Sequence, residues 1–190
     1  MRSPSCLPRL ILWLTKRIPL VPDEQPAARK RYLALPLVLI PALLLRLHAP
    51  GQEGYEHHPY RDVGGVWTVC GGLAGAQVDP KHAYTDDECK QRETAFAVKL
   101  GAAMGRCLRE PLSWNEWMAY MLFGWNVGPT AFCNSLTVRQ VNRGRHIEAC
   151  DGMMHFHTAG GRDCRIRANQ CYGVIRGRNV EISLCKSGAW

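Results

Sequence analysis

Three features are missing from this sequence, and each absence argues against a class of protein. No apolar run reaches the roughly 20 residues that a stable membrane-spanning helix needs. No two cysteines lie as close together as the paired ligands of a zinc site do. No internal repeat and no low-complexity tract is present, which excludes a repeat protein. The hydrophobic content of 46% over 190 residues is typical of a globular chain with a real core.

The globular part also has little excess charge. Of the net charge of +8, residues 1–50 supply most, with eight Lys/Arg against two Asp/Glu, and the remainder holds sixteen against fourteen. A nucleic-acid-binding domain concentrates basic residues in its fold. We therefore expect no nucleic-acid partner.

Most of these basic residues precede a long apolar run, residues 32–45. Arg29, Lys30 and Arg31 stand before it, and Pro36 and Pro41 weaken it as a helix. These features favour a signal or a loosely held membrane anchor, and a buried core helix is the alternative. We divide the chain into an N-terminal segment, residues 1–49, and a domain, residues 50–190. Whether residues 1–49 are cleaved or retained is left open.

The cysteines predict disulfides. Cys6 lies in the N-terminal segment, and the domain holds an even set of eight: Cys70, Cys89, Cys107, Cys133, Cys150, Cys164, Cys171 and Cys185. Such a set is typical of an oxidising compartment, with free thiols or a metal site as the alternatives. No pairing is assigned.

Capping signals and glycines predict a helix-dominated domain with one small sheet near its start. A hairpin around Gly64-Gly65 is followed by a loop over residues 73–83. Capping boxes at Thr85 and Ser113 begin two helices, ending near residues 107 and 125. Ser135 begins a third helix, and further helices are expected over residues 145–156, closed by Gly160-Gly161, and up to about residue 184.

Three residues near the start of the domain could carry chemistry. Glu53 is followed nine positions later by Asp62, and six positions after that by Thr68. A three-residue hairpin loop with Gly65 in the left-handed conformation would place Tyr60 opposite Thr68, and Asp62 opposite Val66. Because side chains alternate along a strand, a carboxylate and a hydroxyl would then share one face and could hold a water between them.

Glycoside hydrolysis uses such an arrangement. One carboxylic acid donates a proton to the leaving oxygen, and a second group stabilises the sugar cation or activates water. We predict Glu53 as the acid, Asp62 as the ionised partner and Thr68 as the residue that orients the water. These residue types are also common on solvated surfaces, where the same spacing would carry no chemistry.

This stretch resembles the Glu-x8-Asp-x5-Thr signature of the phage endolysins of glycoside hydrolase family 24. The similarity continues through Tyr84 to Cys89, the Asn126-Val127-Gly128 motif and the segment that ends at Gly144, and it covers roughly residues 52–185 in matching order. The resemblance implies an α+β, mostly helical, two-lobed lysozyme-like fold with a cleft between a small hairpin lobe and a larger helical lobe. The sequence departs from the family after Thr68 and at Gly177, which stands where members have an arginine.

The resemblance also implies a function. It predicts an enzyme that cleaves peptidoglycan between N-acetylmuramic acid and N-acetylglucosamine, causes lysis of the host cell and acts as a monomer without cofactor or metal. Some members carry a signal-arrest-release segment, so residues 32–45 would tether the chain transiently to the inner membrane before release into the periplasm. Retaining and inverting outcomes both stay open. A non-catalytic peptidoglycan-binding module and a cationic membrane-disrupting protein are the alternatives.

Several other side chains are expected to be structural. Trp114, Trp117 and Trp125 are expected in the core, and Arg178 is expected to stabilise the fold. His57 is expected in an exposed loop.

The odd number of cysteines suggests a further hypothesis, activation by disulfide exchange. It is motivated by Cys6, which is left over from the even set, and by Cys70, which lies two residues from Thr68. Cys6→Ser would test the hypothesis through release and activity.

Overall fold

The two longest helices begin where the sequence provides a capping box. In the computed structural model, which describes residues 56–189, Thr85 precedes α1 (Asp86–Gly105) and Ser113 precedes α2 (Trp114–Val127). Each hydroxyl accepts a hydrogen bond from the N–H three residues on, and the glutamate there accepts one from the N–H of the capping residue. Both predicted starts are confirmed.

The remaining elements make the described chain α+β and mostly helical, as predicted. Strands β1 to β3 form one antiparallel sheet in that order, and β4 pairs with β5 in a second. The elements are β1 (Glu56–Arg61), β2 (Trp67–Cys70), β3 (Leu73–Ala74), α3 (Pro129–Cys133), α4 (Leu136–Val141), α5 (His146–Gly152), β4 (Thr158–Ala159), β5 (Arg162–Asp163) and α6 (Gly173–Lys186), with 3-10 turns at Met153–His155 and Arg167–Asn169.

Helix α2 is the centre of the core. Every residue from Glu116 to Trp125 is buried, because α1, α3 and α6 all pack against this helix. Aromatic rings hold these neighbours together, with Phe123 contacting Phe132 of α3 and Phe156, at centroid distances of 6.0 and 5.0 Å. A helix that is apolar on all faces is expected to be buried in this way.

One prediction about the C-terminal half is wrong. The helix expected over residues 145–156 is present as an α-helix to Gly152 and continues as a 3-10 turn to His155. Gly160 and Gly161 do not close it. Both have positive φ angles, +55° and +75°, and they form the turn that joins β4 to β5. Helix α3 and strand β3 were not predicted either, since each is too short to give a periodic signal.

Four disulfides connect the elements, which confirms the predicted use of the eight domain cysteines. Cys70–Cys89 joins β2 to α1, and Cys150–Cys185 joins α5 to α6. The other two are Cys107–Cys133 and Cys164–Cys171. In the chain-entropy treatment each such crosslink stabilises the fold by about 3 kcal/mol.

The N-terminal predictions lie outside the described residues. They concern Cys6, the apolar run 32–45 and the boundary at residue 49. Within residues 56–189, no helix combines the length and the apolar character that crossing a bilayer requires.

Candidate active site

The hairpin formed by β1 and β2 has the register that its glycine predicts. Tyr60 pairs with Thr68, and the backbone N–H of Asp62 donates to the carbonyl of Val66 at 3.0 Å. Gly65 has a φ of +76° and closes the loop by donating to the carbonyl of Asp62 at 2.9 Å. Asp62 and Thr68 therefore stand at neighbouring positions of one hairpin.

Strand β1 contains a proline. Pro59 lies inside the strand, and the pairing is irregular between Glu56 and Tyr60. A bulge explains why proline is tolerated here, since a bulged residue does not need to donate to the ladder.

The turn backbone holds the carboxylate of Asp62. Its Oδ1 accepts hydrogen bonds from the N–H groups of Gly64 and Val66, both at 2.8 Å. Among the described residues no hydrogen bond to Oδ2 is recorded, so this second oxygen is available to water or substrate. Because the bonds come from the backbone of the turn itself, the position of the carboxylate depends on the turn and not on a distant element.

Thr68 is almost fully buried, with 4% of its surface exposed. Its hydroxyl donates to the carbonyl of Val66 at 3.2 Å. Because the hydroxyl hydrogen is used in this bond, Oγ1 can only accept a hydrogen bond from any further partner. The hydroxyl can therefore receive a hydrogen from a bound water.

Two side chains of the helical part fix the end of the hairpin, and sequence reasoning missed both. The N–H of Gly71 donates to Glu93 of α1 at 2.8 Å, and the indole of Trp125 donates to the carbonyl of Gly71 at 3.1 Å. The disulfide between Cys70 and Cys89 adds a covalent tie at the same place. A signal for Glu93 existed, because an acidic residue four positions after Cys89 lies on the buried stripe of α1.

A second turn approaches the hairpin loop. A Cβ atom placed on Gly160 would lie 2.8 Å from the carbonyl oxygen of Val63 and 3.6 Å from the Cα of Gly64. Only a residue without a side chain permits this approach. The β4–β5 turn therefore lies directly against the loop that carries Asp62.

A buried ionic group lies on α6. Arg178 donates to Glu181, and the side-chain amide of Asn126 donates to the same carboxylate at 3.4 Å. Burial raises the pKa of Glu181 to about 7, against the opposing influence of Arg178 and Asn126. The guanidinium of Arg178 lies 4.8 Å from the centre of the Phe123 ring. These contacts fit the structural role predicted for Arg178.

Some individual expectations need correction. Trp117 and Trp125 are buried as predicted, but Trp114 is 43% exposed, because the first residue of α2 precedes the part of the helix that its neighbours cover. His57 is not an exposed loop residue. It lies half-buried in β1, with Nδ1 2.9 Å from the carbonyl oxygen of Tyr84.

Two of the three predicted site residues lie on the same hairpin, Asp62 at the start of its loop and Thr68 in β2. Glu53 precedes the described residues by three positions, and its location relative to them is not described.

The fold and the hairpin define a lysozyme-like protein. Residues 51–181 match the phage lysozyme family, which is more than half of the chain. The chain belongs to this family, and it is an endolysin-type lysozyme, a glycoside hydrolase that cleaves peptidoglycan.

Named relatives agree. The probable prophage lysozyme of Escherichia coli strain K12 is 32% identical over 137 residues, covering 70% of this chain and 77% of the relative. The SAR-endolysin of Escherichia phage 933W is 31% identical over 137 residues, with the same coverage of 70% and 77%.

Solved structures share the fold. The muramidase domain of SpmX from Asticaccaulis excentricus superposes with a TM-score of 0.59 at 23% identity, covering 79% of this chain and 93% of that one. The endolysin of Escherichia coli phage FAHEc1 also superposes with a TM-score of 0.59, at 21% identity, covering 86% and 94%. The lysozyme-like fold class predicted from the sequence is thus confirmed.

Proposed function

We propose that this lysozyme hydrolyses the bond between N-acetylmuramic acid and N-acetylglucosamine with Glu53 as the general acid, Asp62 as the general base and Thr68 as the residue that orients the attacking water. The observation that supports it best is the hairpin around Gly65. It carries both the backbone-held carboxylate of Asp62 and the hydroxyl of Thr68, whose own hydrogen is already used, and this supports the proposal.

The hydrogen-bond directions give the water its orientation. Oδ2 of Asp62 and Oγ1 of Thr68 are both acceptors toward a water, so each can receive one of its two hydrogens. A lone pair of that water is then left to point at the anomeric carbon of the sugar. This is the geometry that a general base needs, since the hydrogen on the Asp62 side is the one removed during attack.

The reaction balances with these three residues. Glu53 transfers its proton to the glycosidic oxygen as the bond from that oxygen to the anomeric carbon breaks. The water oxygen bonds to the anomeric carbon from the opposite face, and its proton passes to Asp62. The products are two shorter glycan strands. Glu53 has lost one proton and Asp62 has gained one. Solvent restores the starting state.

The stereochemistry of the product tests whether a water held by Asp62 and Thr68 attacks the sugar directly. We expect inversion at the anomeric carbon, because the water attacks directly from the face opposite the leaving group. Proton NMR of the first products from purified peptidoglycan glycan, recorded before mutarotation, measures the anomer. A retained configuration would mean that Asp62 attacks the sugar itself, and it would overturn the role given to Thr68.

The same incubation separates the proposal from its main alternative. A non-catalytic peptidoglycan-binding module would sediment with the cell wall but release no reducing sugar. We expect both binding and reducing-sugar release.

The proposed place of action is the periplasm of the host cell, where peptidoglycan lies, and the proposed working form is a monomer. The names of the SAR-endolysin relatives support export, and so does the basic flank before residues 32–45. We propose that these residues of the N-terminal segment 1–49 hold the chain at the inner membrane before release.

Charged substitutions test the membrane attachment. A carboxylate near the middle of a membrane segment costs about 3 kcal/mol. We therefore expect Leu37→Asp with Leu39→Asp to move the full chain out of the membrane fraction on sedimentation. The matched pair Leu7→Asp with Leu10→Asp lies outside the apolar run and should leave the distribution unchanged. Equal distributions for all three proteins would disprove the attachment.

A further inference from the structure

An arginine-lined groove lies at the other end of α1 from the hairpin. We call it the arginine groove. Its volume is about 520 Å³, and its lining includes four arginines: Arg106, Arg109, Arg139 and Arg143. None of the residues that line it is acidic.

This groove is separate from the candidate active site. Cys89, which is bonded to the strand of Thr68, lies near the start of α1, and Arg106 follows its last residue. At 1.5 Å per residue, the seventeen positions between them span about 25 Å along the helix. A ligand in the arginine groove would not lie in the hairpin cleft.

The walls of the groove are held in place. The disulfide between Cys107 and Cys133 joins the segment after α1 to α3. Asn142 adds two hydrogen bonds to the same segment, donating to the carbonyl of Cys107 and accepting from the N–H of Arg109, both at 2.8 Å. A rigid frame of this kind reduces the entropy lost when a ligand binds.

The concentration of arginine is unusual for this domain. Residues 51–190 are nearly neutral, with sixteen basic and fourteen acidic residues. Elsewhere in the described chain, some basic side chains form ion pairs, as in Arg165–Asp163 and Lys186–Asp151. Arg106 and Arg143 are exposed in the groove, and Arg139 donates one of its hydrogens to the carbonyl of Asn134 at 2.7 Å.

Four arginine side chains that line one groove suit a tetrahedral oxyanion as ligand. Arginine presents several N–H donors in a planar fork, which binds phosphate oxygens in pairs. We propose that the arginine groove is a binding site for a phosphate group, carried either by a lipid headgroup or by a soluble phosphate ester. This site is independent of the proposed catalytic residues.

The first test uses inorganic phosphate and the full chain. At constant ionic strength, exchanging chloride for phosphate should raise the melting temperature in a saturable way. Arg106→Gln with Arg143→Gln should weaken the apparent affinity for phosphate roughly a hundredfold, because each lost charged hydrogen bond contributes about a factor of ten and two are removed. Neither of these side chains has a recorded hydrogen bond in the fold, so the variant should remain folded.

The control removes the same amount of charge outside the groove. Lys99→Gln with Arg176→Gln changes two exposed residues of α1 and α6. Phosphate affinity should stay within about twofold of the unchanged chain. A non-saturable response to phosphate, or an equal loss of affinity in both double variants, would overturn the site.

The second test identifies the source of the phosphate. Vesicles of phosphatidylglycerol and of phosphatidylcholine are sedimented with each protein, since the first lipid exposes an anionic phosphate and the second a neutral headgroup. The site binds lipid if a smaller fraction of the groove variant than of the control variant sediments with phosphatidylglycerol vesicles. The site binds a soluble phosphate ester if the two variants bind vesicles equally while only the groove variant loses affinity for phosphate.

Discussion

Glu53→Gln should reduce reducing-sugar release from peptidoglycan by about a thousandfold. The amide has nearly the size of the carboxylic acid but cannot give up a proton to the leaving oxygen, and general acid catalysis contributes about 10²- to 10⁴-fold. The measurement is the initial rate of reducing-sugar release, with circular dichroism melting to verify that the variant is folded.

Glu56 offers the matched control for this change. It is the first residue of β1, three positions after Glu53, and its side chain is exposed. Glu56→Gln should keep activity within about twofold, because the proposed reaction gives the exposed side chain of Glu56 no role. If Glu56→Gln were inactive and Glu53→Gln active, the acid would have been assigned to the wrong residue.

Asp62→Asn should also lower the rate by about a thousandfold while leaving the hairpin intact. The amide oxygen of asparagine can keep both bonds now made by Oδ1, from the N–H groups of Gly64 and Val66. Only Oδ2 is replaced, by an NH2 group that can neither receive a hydrogen from the water nor remove its proton. The kinetic assay and the melting temperature together separate the loss of chemistry from a loss of structure.

Asp79 provides the comparison for Asp62. It too accepts a hydrogen bond at Oδ1 from the N–H two residues on, that of Lys81, at 3.0 Å, and it lies in an exposed loop. Asp79→Asn repeats the chemical change in a similar turn and should leave the rate unaltered. Activity above about a tenth of normal in Asp62→Asn would remove Asp62 from the role of base.

The candidate site could be predicted in part because its geometry is local. One glycine with a positive φ angle sets the loop length, and the loop length sets which residues face each other. The pair Tyr60–Thr68 and the neighbouring position of Asp62 follow from that alone. Glu93 and Trp125 could not be assigned to the hairpin in the same way, since they bond to Gly71 from 22 and 54 residues away.

The sequence by itself determined where the two longest helices begin, how the hairpin pairs and which family the chain belongs to. Those features depend on contacts within a few residues, or on motifs that stand in order along the chain. Tertiary structure alone decided how eight cysteines form four disulfides, that the Gly160 turn lies against Val63, and that four arginines from separate segments line one groove. Such contacts join residues far apart in sequence, and only the packing of the helices around α2 determines which of them meet.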